Sequence, residues 1–296
     1  MGDGRMRLTV PDMFRDPYTF EGIISKYEEI LHDVSEIDMS RVSFIEPYSM
    51  VSFLLMGRSC FRKRGEKIKL INLPIHIHQY LARMDFFKTE VFSVPGILDE
   101  GLVLKRSSES SRLIEITEIP NKERQGANVI SSVIARFRKR GSMILKYWMD
   151  DTVTDYFVTV ISELCQNIFE HSLDTGFVSM QTYRSGKENV VRLVISDSGV
   201  GIHGSFEAGR GIDYKSPADL IEKALTLPVS SKRDFGYGLC QVNSIVEKLK
   251  GTILLRSNDA SVAALYNKKG GSSKHMFQRD GLPPFQGTQI TISLTA

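Results

Sequence analysis

Along the first ninety residues the apolar positions switch between two periods. Met6–Val10 (MRLTV) alternates and predicts a short strand. In Pro17–His32, Phe20, Ile23, Ile24, Tyr27, Ile30 and Leu31 recur at helical spacing. Glu36–Ile45 reads as a strand with a turn, and Pro47 suits the first position of a helix reaching Arg64, with Val51, Leu54, Leu55 and Cys60 turned inward. Arg62, Lys63 and Arg64 followed by Gly65 form a helix stop: cations in the last turn, then a residue free to turn left-handed. Lys67–Leu73 alternates as a strand, and Ile75–Phe87 returns to helical spacing. The order strand, helix, strand, helix, strand, helix predicts a compact α/β unit.

From Val91 to Ser111 the periodicity fades into Gly, Ser and charge, which places a boundary there: a first domain over 1–95, a linker over 96–111 and a second domain over 112–296. The second domain begins with a strand at Arg112–Ile119, then helices at Ala127–Arg140 and Asp151–His171. Arg136, Arg138, Lys139 and Arg140 before Gly141 repeat the basic stop signal and read as a solvated helix end. Strands follow at Phe177–Tyr183 and Val190–Ser196, then a long irregular stretch over Gly199–Asp234. A helix at Tyr237–Leu249 leads to strands at Gly251–Arg256 and Gln289–Leu294, with a polar, Gly- and Pro-rich excursion over Lys268–Gln286 between them. No internal repeat or low-complexity tract is present.

Composition narrows the function classes. A length of 296 residues agrees with two domains, and 42 % apolar content is that of an ordinary globular chain. Lys and Arg exceed Asp and Glu by 38 − 35 = +3, too small an excess to imply a nucleic-acid surface. No apolar run approaches the roughly 20 residues that span a bilayer, so no membrane association is expected. The N-terminus has no apolar h-region, and Met6 stands where a myristoylation signal needs Ser or Thr. Cys60, Cys165 and Cys240 are scattered and odd in number, which argues against a disulfide framework or a CxxC metal site and for a cytoplasmic setting.

The chemistry concentrates in four segments. Steps of four residues advance a helix by 400°, so Glu163, Asn167 and His171 share one face, beside an apolar stripe with Leu164 and Ile168. A carboxylate, a carboxamide and an imidazole in one row suit a helix lining a polar cleft, although a plain amphipathic surface helix has the same pattern. The strand Val190–Ile195 runs into Asp197-Ser-Gly199-Val-Gly201-Ile. There the carboxylate can accept a hydrogen bond from an exocyclic amine, and the glycines admit a flat ligand close to the backbone. Phe235-Gly236-Tyr237-Gly238-Leu239 opens a helix, where free backbone N–H groups attract an anion. Gly287-Thr288 precedes the last strand. His76 and His78 could pair on a metal, but no third ligand is evident.

In this order and spacing, the four segments over about 110–296 resemble the Bergerat ATP-binding fold of the GHKL superfamily, the histidine kinase-like ATPases. ExxxNxxxH is similar to its N-box, DSGVGI to its first glycine box, FGYGL to its second and GTQITISL to its last segment. The resemblance implies an α/β sandwich, a mixed sheet covered by helices, with ATP and Mg²⁺ as cofactors. It implies Asn167 as the Mg²⁺ ligand and Asp197 as the reader of the adenine amino group. Gly199 and Gly201 would shape the base pocket. Gly236, Gly238 and Leu239 would present N–H groups to the phosphates, and Thr288 would lie near the adenine. Glu163 matches the carboxylate that acts as general base. Lys232 and Arg233 fall in the expected lid.

With two residues after Leu294, a transducer domain of the gyrase or chaperone type is not expected. A strand and a short helix before the N-box resemble the anti-sigma-factor serine kinases. The first domain, over roughly 5–90, resembles a STAS domain, the fold of anti-sigma-factor antagonists. At the segment matching that family's D-S-S-G-L switch, the chain reads Glu46-Pro47-Tyr48-Ser49-Met50, so Tyr48 holds the phosphoacceptor position and Ser49 replaces the glycine. The expectation is an ATP-binding regulatory protein that hydrolyses Mg-ATP or acts as a serine/threonine protein kinase. Its partner would be a regulatory protein or its own STAS-like domain, and a homodimer is open. The alternative is a non-catalytic ATP-sensing switch that sequesters a partner.

Overall fold

The computed structural model describes residues 6–14, 17–95, 110–120, 127–208, 212–231, 238–266 and 274–295. The chain divides into two compact units, Met1–Ser110 and Ser111–Ala296.

The first unit holds a parallel four-stranded sheet in the order β1-β3-β5-β6, formed by Met6–Thr9 (β1), Val34–Asp38 (β3), Ile68–Ile71 (β5) and Phe92–Ser93 (β6). A separate two-stranded pairing joins Met13–Phe14 (β2) to Phe44–Ile45 (β4). The expected single strand over 36–45 is therefore two strands in different sheets. Parallel neighbours require crossovers, and the helices supply them: Pro17–Ile24 (α1) and Tyr27–His32 (α2), Pro47–Arg64 (α3), and Ile75–Arg83 (α4). The expected helix over 17–32 breaks at Ser25–Lys26, where the Ser25 hydroxyl donates to the Gly22 carbonyl and competes with the helical pattern. Helix α3 begins on Pro47 and ends on Gly65 at φ 70°, as its stop signal predicts. Every residue from Pro47 to Gly57 is buried. Helix α4 stops at Arg83, and a 3-10 turn over Phe86–Thr89 takes the rest of its expected span.

The second unit is an α/β sandwich around a seven-stranded sheet, order β12-β11-β10-β13-β9-β8-β7, every pairing antiparallel. Its strands are Leu113–Ile119 (β7), Gly176–Ser185 (β8), Glu188–Asp197 (β9), Thr252–Asn258 (β10), Ala260–Tyr266 (β11), Lys274–Arg279 (β12) and Phe285–Thr295 (β13). Its helices are Ala127–Leu145 (α5), Asp151–His171 (α6), Gly201–Glu207 (α7), Pro217–Thr226 (α8) and Gly238–Lys248 (α9). Alternate residues of three central strands enter the core: Val191, Leu193 and Ile195 from β9, Ile290, Ile292 and Leu294 from β13, and Ile253 and Leu255 from β10. They meet Phe157, Ile161, Leu164 and Ile168 of α6 and Val242 and Val246 of α9. A period of two on the strands against a helical stripe is the ordinary way such layers share one core.

Three expectations for this unit are corrected. Helix α5 runs through Gly141 to Leu145, because Arg140 is no solvated end: its guanidinium is 2.5 Å from buried Glu115 Oε2 and also donates to the Leu113 carbonyl. The stretch 199–234 is largely ordered, with α7 and α8 in it. Ser216 and Pro217 start α8, and the Asp280 carboxylate accepts from the Ser216 hydroxyl and the Ala218 N–H. The excursion over 268–286 gives way to β12 and the beginning of β13, and β11 lies just before it.

Candidate functional site

Helix α6 is the backbone of the site. The Asp150 carboxylate caps it by accepting from the Val153 N–H, and its apolar stripe fixes its rotation against the sheet. Glu163, Asn167 and His171 thereby point into a cavity of about 440 Å³, the size of a small-molecule pocket. Leu164, Ile168, Ile202, Phe206 and Ile290 supply apolar wall. Asp197, Gly201, Gly238, Leu239 and Thr288 line the same cavity.

At one end, strand β9 delivers Asp197. It is 4 % exposed, and its Oδ1 accepts from the Ser172 hydroxyl at 2.7 Å and the Gly199 N–H at 2.8 Å. Burial pushes its carboxyl up to about 6. The Ser172 hydroxyl and the N–H groups of Gly199 and Thr288 pull against that, while the nearby Asp174 charge adds to it. Gly199 is not in the cavity wall. A Cβ there would lie 1.8 Å from the Ser172 carbonyl oxygen, so this glycine lets the strand end close on the end of α6. Gly201 sits at φ 73° against the Asn258 and Ser257 side chains. Ser257 Oγ accepts from the Ile202 N–H, while Asn258 donates to the Val200 carbonyl and accepts from the Gly287 N–H. Ser172, Ser257 and Asn258 thus hold this end together. No sequence motif singles them out, although Ser172 directly follows the α6 row.

At the other end, α9 begins on Gly238, where the first N–H groups of a helix have no intrahelical acceptor. An ideal Cβ on Gly238 would lie 3.2 Å from both side-chain polar atoms of Asn167 and 3.6 Å from Glu163 Oε2. Among the described residues, Glu163 and Asn167 have no hydrogen-bond or ion-pair partner, whereas Gln166 and Glu170 on the same helix bond each other at 2.6 Å. An open carboxylate and carboxamide beside a helix N-terminus can take a hydrated cation and an anionic group together.

Gly236, Lys232 and Arg233 lie outside the described residues. His76 and His78 diverge: the first meets the Ser43 carbonyl at 3.3 Å, and the second stacks on Phe87. No metal-holding cluster of His, Cys, Asp or Glu occurs among the described residues. None of the described helices is long and apolar enough to cross a membrane.

Residues 152–295 match the family model described as histidine kinase-, DNA gyrase B-, and HSP90-like ATPase. No match is found among the curated proteins. The match covers α6, the cavity and the strands beneath it, so the C-terminal unit carries a histidine kinase-, DNA gyrase B- and HSP90-like ATPase domain, which indicates ATP binding.

Proposed function

We propose that this chain is a regulatory protein whose C-terminal unit binds Mg-ATP and either hydrolyses it or passes its γ-phosphate to a protein, with the N-terminal, STAS-like unit as regulatory partner. The carrying observation is the pair Glu163 and Asn167, open to the cavity opposite Gly238. That space fits Mg²⁺, which accepts few protein ligands and keeps several waters. Asn167 would hold the ion through its amide oxygen, and the ion would offset the charge of the triphosphate. Glu163 takes the proton of the attacking hydroxyl or water as that group's oxygen bonds the γ-phosphorus and the bond to the bridging oxygen breaks, releasing ADP. Gly238 and Leu239 offer backbone N–H groups to the phosphates, and Asp197 accepts from the adenine amine, with Thr288 alongside. The three free cysteines accord with a cytoplasmic setting.

A second reading, an ATP-sensing switch without transfer, draws support from the N-terminal unit. Tyr48 is packed edge-on against Phe20, and Ser49 faces a small apolar pocket with Phe14, Ile45 and Leu81; both are at most 1 % exposed. Neither hydroxyl can reach a nucleotide without unfolding its surroundings. Incubating the full chain with Mg²⁺ and γ-labelled ATP separates the readings. Released phosphate marks hydrolysis, and label on protein marks transfer. Binding with neither favours the switch, and absence of binding rejects both.

A further inference from the structure

Along the cavity, His171, the last residue of the ExxxNxxxH row, joins two serines outside the four motifs in a hydrogen-bonded chain drawn from three separate segments. Ser205 Oγ of α7 lies 2.8 Å from Ser231 Oγ, and Ser231 Oγ lies 3.4 Å from His171 Nδ1 at the end of α6. All three line the cavity, together with apolar Ile202, Phe206 and Val229 and polar Glu170 and Ser230. Ser231 is 5 % exposed. A hydroxyl has one proton to donate and two lone pairs, so Ser231, shared between Ser205 and His171, keeps room for one further hydrogen bond from the cavity.

The ends of the cavity fix what lies between. If the base sits on Asp197, beside Ser172, and the phosphates sit at Asn167 and Gly238, the ligand runs along α6 from residue 172 towards residue 167. His171 and its two serines face that interval, where the sugar must pass. Resting on the ATP reading above, we propose that Ser231, oriented by Ser205 and His171, hydrogen-bonds a ribose hydroxyl and makes the site selective for ribonucleotides. An analogue lacking that hydroxyl forfeits this one further hydrogen bond and binds correspondingly less tightly.

The test is equilibrium titration of the full chain, with Mg²⁺, against ADP, 2′-deoxy-ADP and 3′-deoxy-ADP, none of which can turn over. One of the deoxy forms is expected to bind about 5- to 10-fold more weakly than ADP, the range of a neutral hydrogen bond. In Ser231→Ala, ADP should fall to the level of that deoxy form, so the ratio approaches one. Ser205→Ala, which keeps Ser231 but removes its orienting neighbour, should reduce the ratio to about half and serves if Ser231→Ala does not fold. Parity of all three nucleotides in the wild type overturns the proposal. So does an unchanged ratio in the variants: equal weakening of every nucleotide would mark the chain as a structural tie between α7 and α6. No ADP binding at all would instead overturn the ATP reading itself, and the ribose proposal with it.

Discussion

Asp38 and Asp197 invite comparison, one from each unit. Each ends a core strand, β3 and β9, and each is buried, 8 % and 4 % exposed. Their surroundings push them in opposite directions. Burial alone would raise Asp38, but the Ser40 N–H, the Asn72 amide and the Arg7 guanidinium all donate to it and hold its carboxyl well below the usual range. Asp197 has no cation beside it among the described residues, and burial wins, raising it to about 6. Each carboxylate has internal donors, but those of Asp38 include a cation, whereas those of Asp197 are the neutral Ser172 hydroxyl and the Gly199 and Thr288 N–H groups. A strand-end carboxylate neutralised by its own guanidinium is a fastener; one with neutral donors only, at the wall of a cavity, still favours a further donor from a ligand.

The largest effect should come from the open carboxylate on α6. Glu163→Gln keeps the shape and removes the proposed base, so turnover of ATP should fall about 10²- to 10⁴-fold, with nucleotide affinity little changed. Steady-state phosphate release checks this. Asp38→Asn is the matching change in the other unit. It should lower the melting temperature and leave turnover per folded molecule unaltered. Equal turnover in wild type and Glu163→Gln would remove Glu163 from the chemistry.

The next effect concerns ion pairs of unequal depth. Arg140 and Glu115 are 11 % and 3 % exposed at the side chain, whereas Arg7 in the other unit is 48 % exposed. Breaking an ion pair this deep removes a charge partner where water cannot replace it, so Arg140→Ala should destabilise the protein by about 3–5 kcal/mol. Arg7→Ala should cost about 1 kcal/mol or less, since solvent screens the guanidinium and Asp38 keeps two other donors. Urea unfolding of both variants measures the difference, and similar losses would show that depth does not separate them.

Where the chain carried its own local signal, the fold was legible. The strands of the central sheet follow their Val and Ile alternation, and α3 obeys Pro47 and Gly65. Elements with weaker or long-range determinants were not. Strand β11, Ala260–Tyr266, hides its period behind three alanines, and β12 is an edge with exposed Phe277. Helix α8 did carry a signature, Ser216-Pro217 with Leu220, Ile221, Ala224 and Leu225 behind it, which the surrounding Gly and charge obscured. The continuation of α5 past Gly141 rests on a carboxylate 25 residues upstream. The site divides in the same way. Glu163, Asn167, Asp197, Gly201, Gly238 and Thr288 stand at readable spacings and meet in one cavity. Ser172, Ser205, Ser231, Ser257 and Asn258 become recognisable only once tertiary structure brings separate segments together.

The smallest effect, and the most specific to the comparison, is on pH. A carboxyl raised from its ordinary value to about 6 adds stability that is fully present below about pH 4 and is lost as pH rises through 6. A shift of that size corresponds to about 3 kcal/mol between those limits. Asp38 has the opposite sign: its stability is present above about pH 4 and is lost as pH falls towards its lowered value. If adenine donates an amine hydrogen to Asp197, as proposed, it stabilises the ionised carboxylate, and binding should release a proton near pH 6. With a free value of about 6, ATP affinity should drop about tenfold between pH 7 and pH 5 from this group alone. The triphosphate also titrates in this range, and Asp197→Asn separates the two contributions, because it keeps the phosphate dependence and abolishes the carboxyl's. Nucleotide-free Asp197→Asn should also be more stable than the wild type at pH 7, since it no longer holds a buried charge, and should lose that advantage at pH 4. Calorimetric titrations at pH 5, 6 and 7 in two buffers of different ionisation enthalpy count the proton directly. Identical pH profiles for wild type and Asp197→Asn would place the adenine amine elsewhere and reduce Asp197 to a second fastener like Asp38.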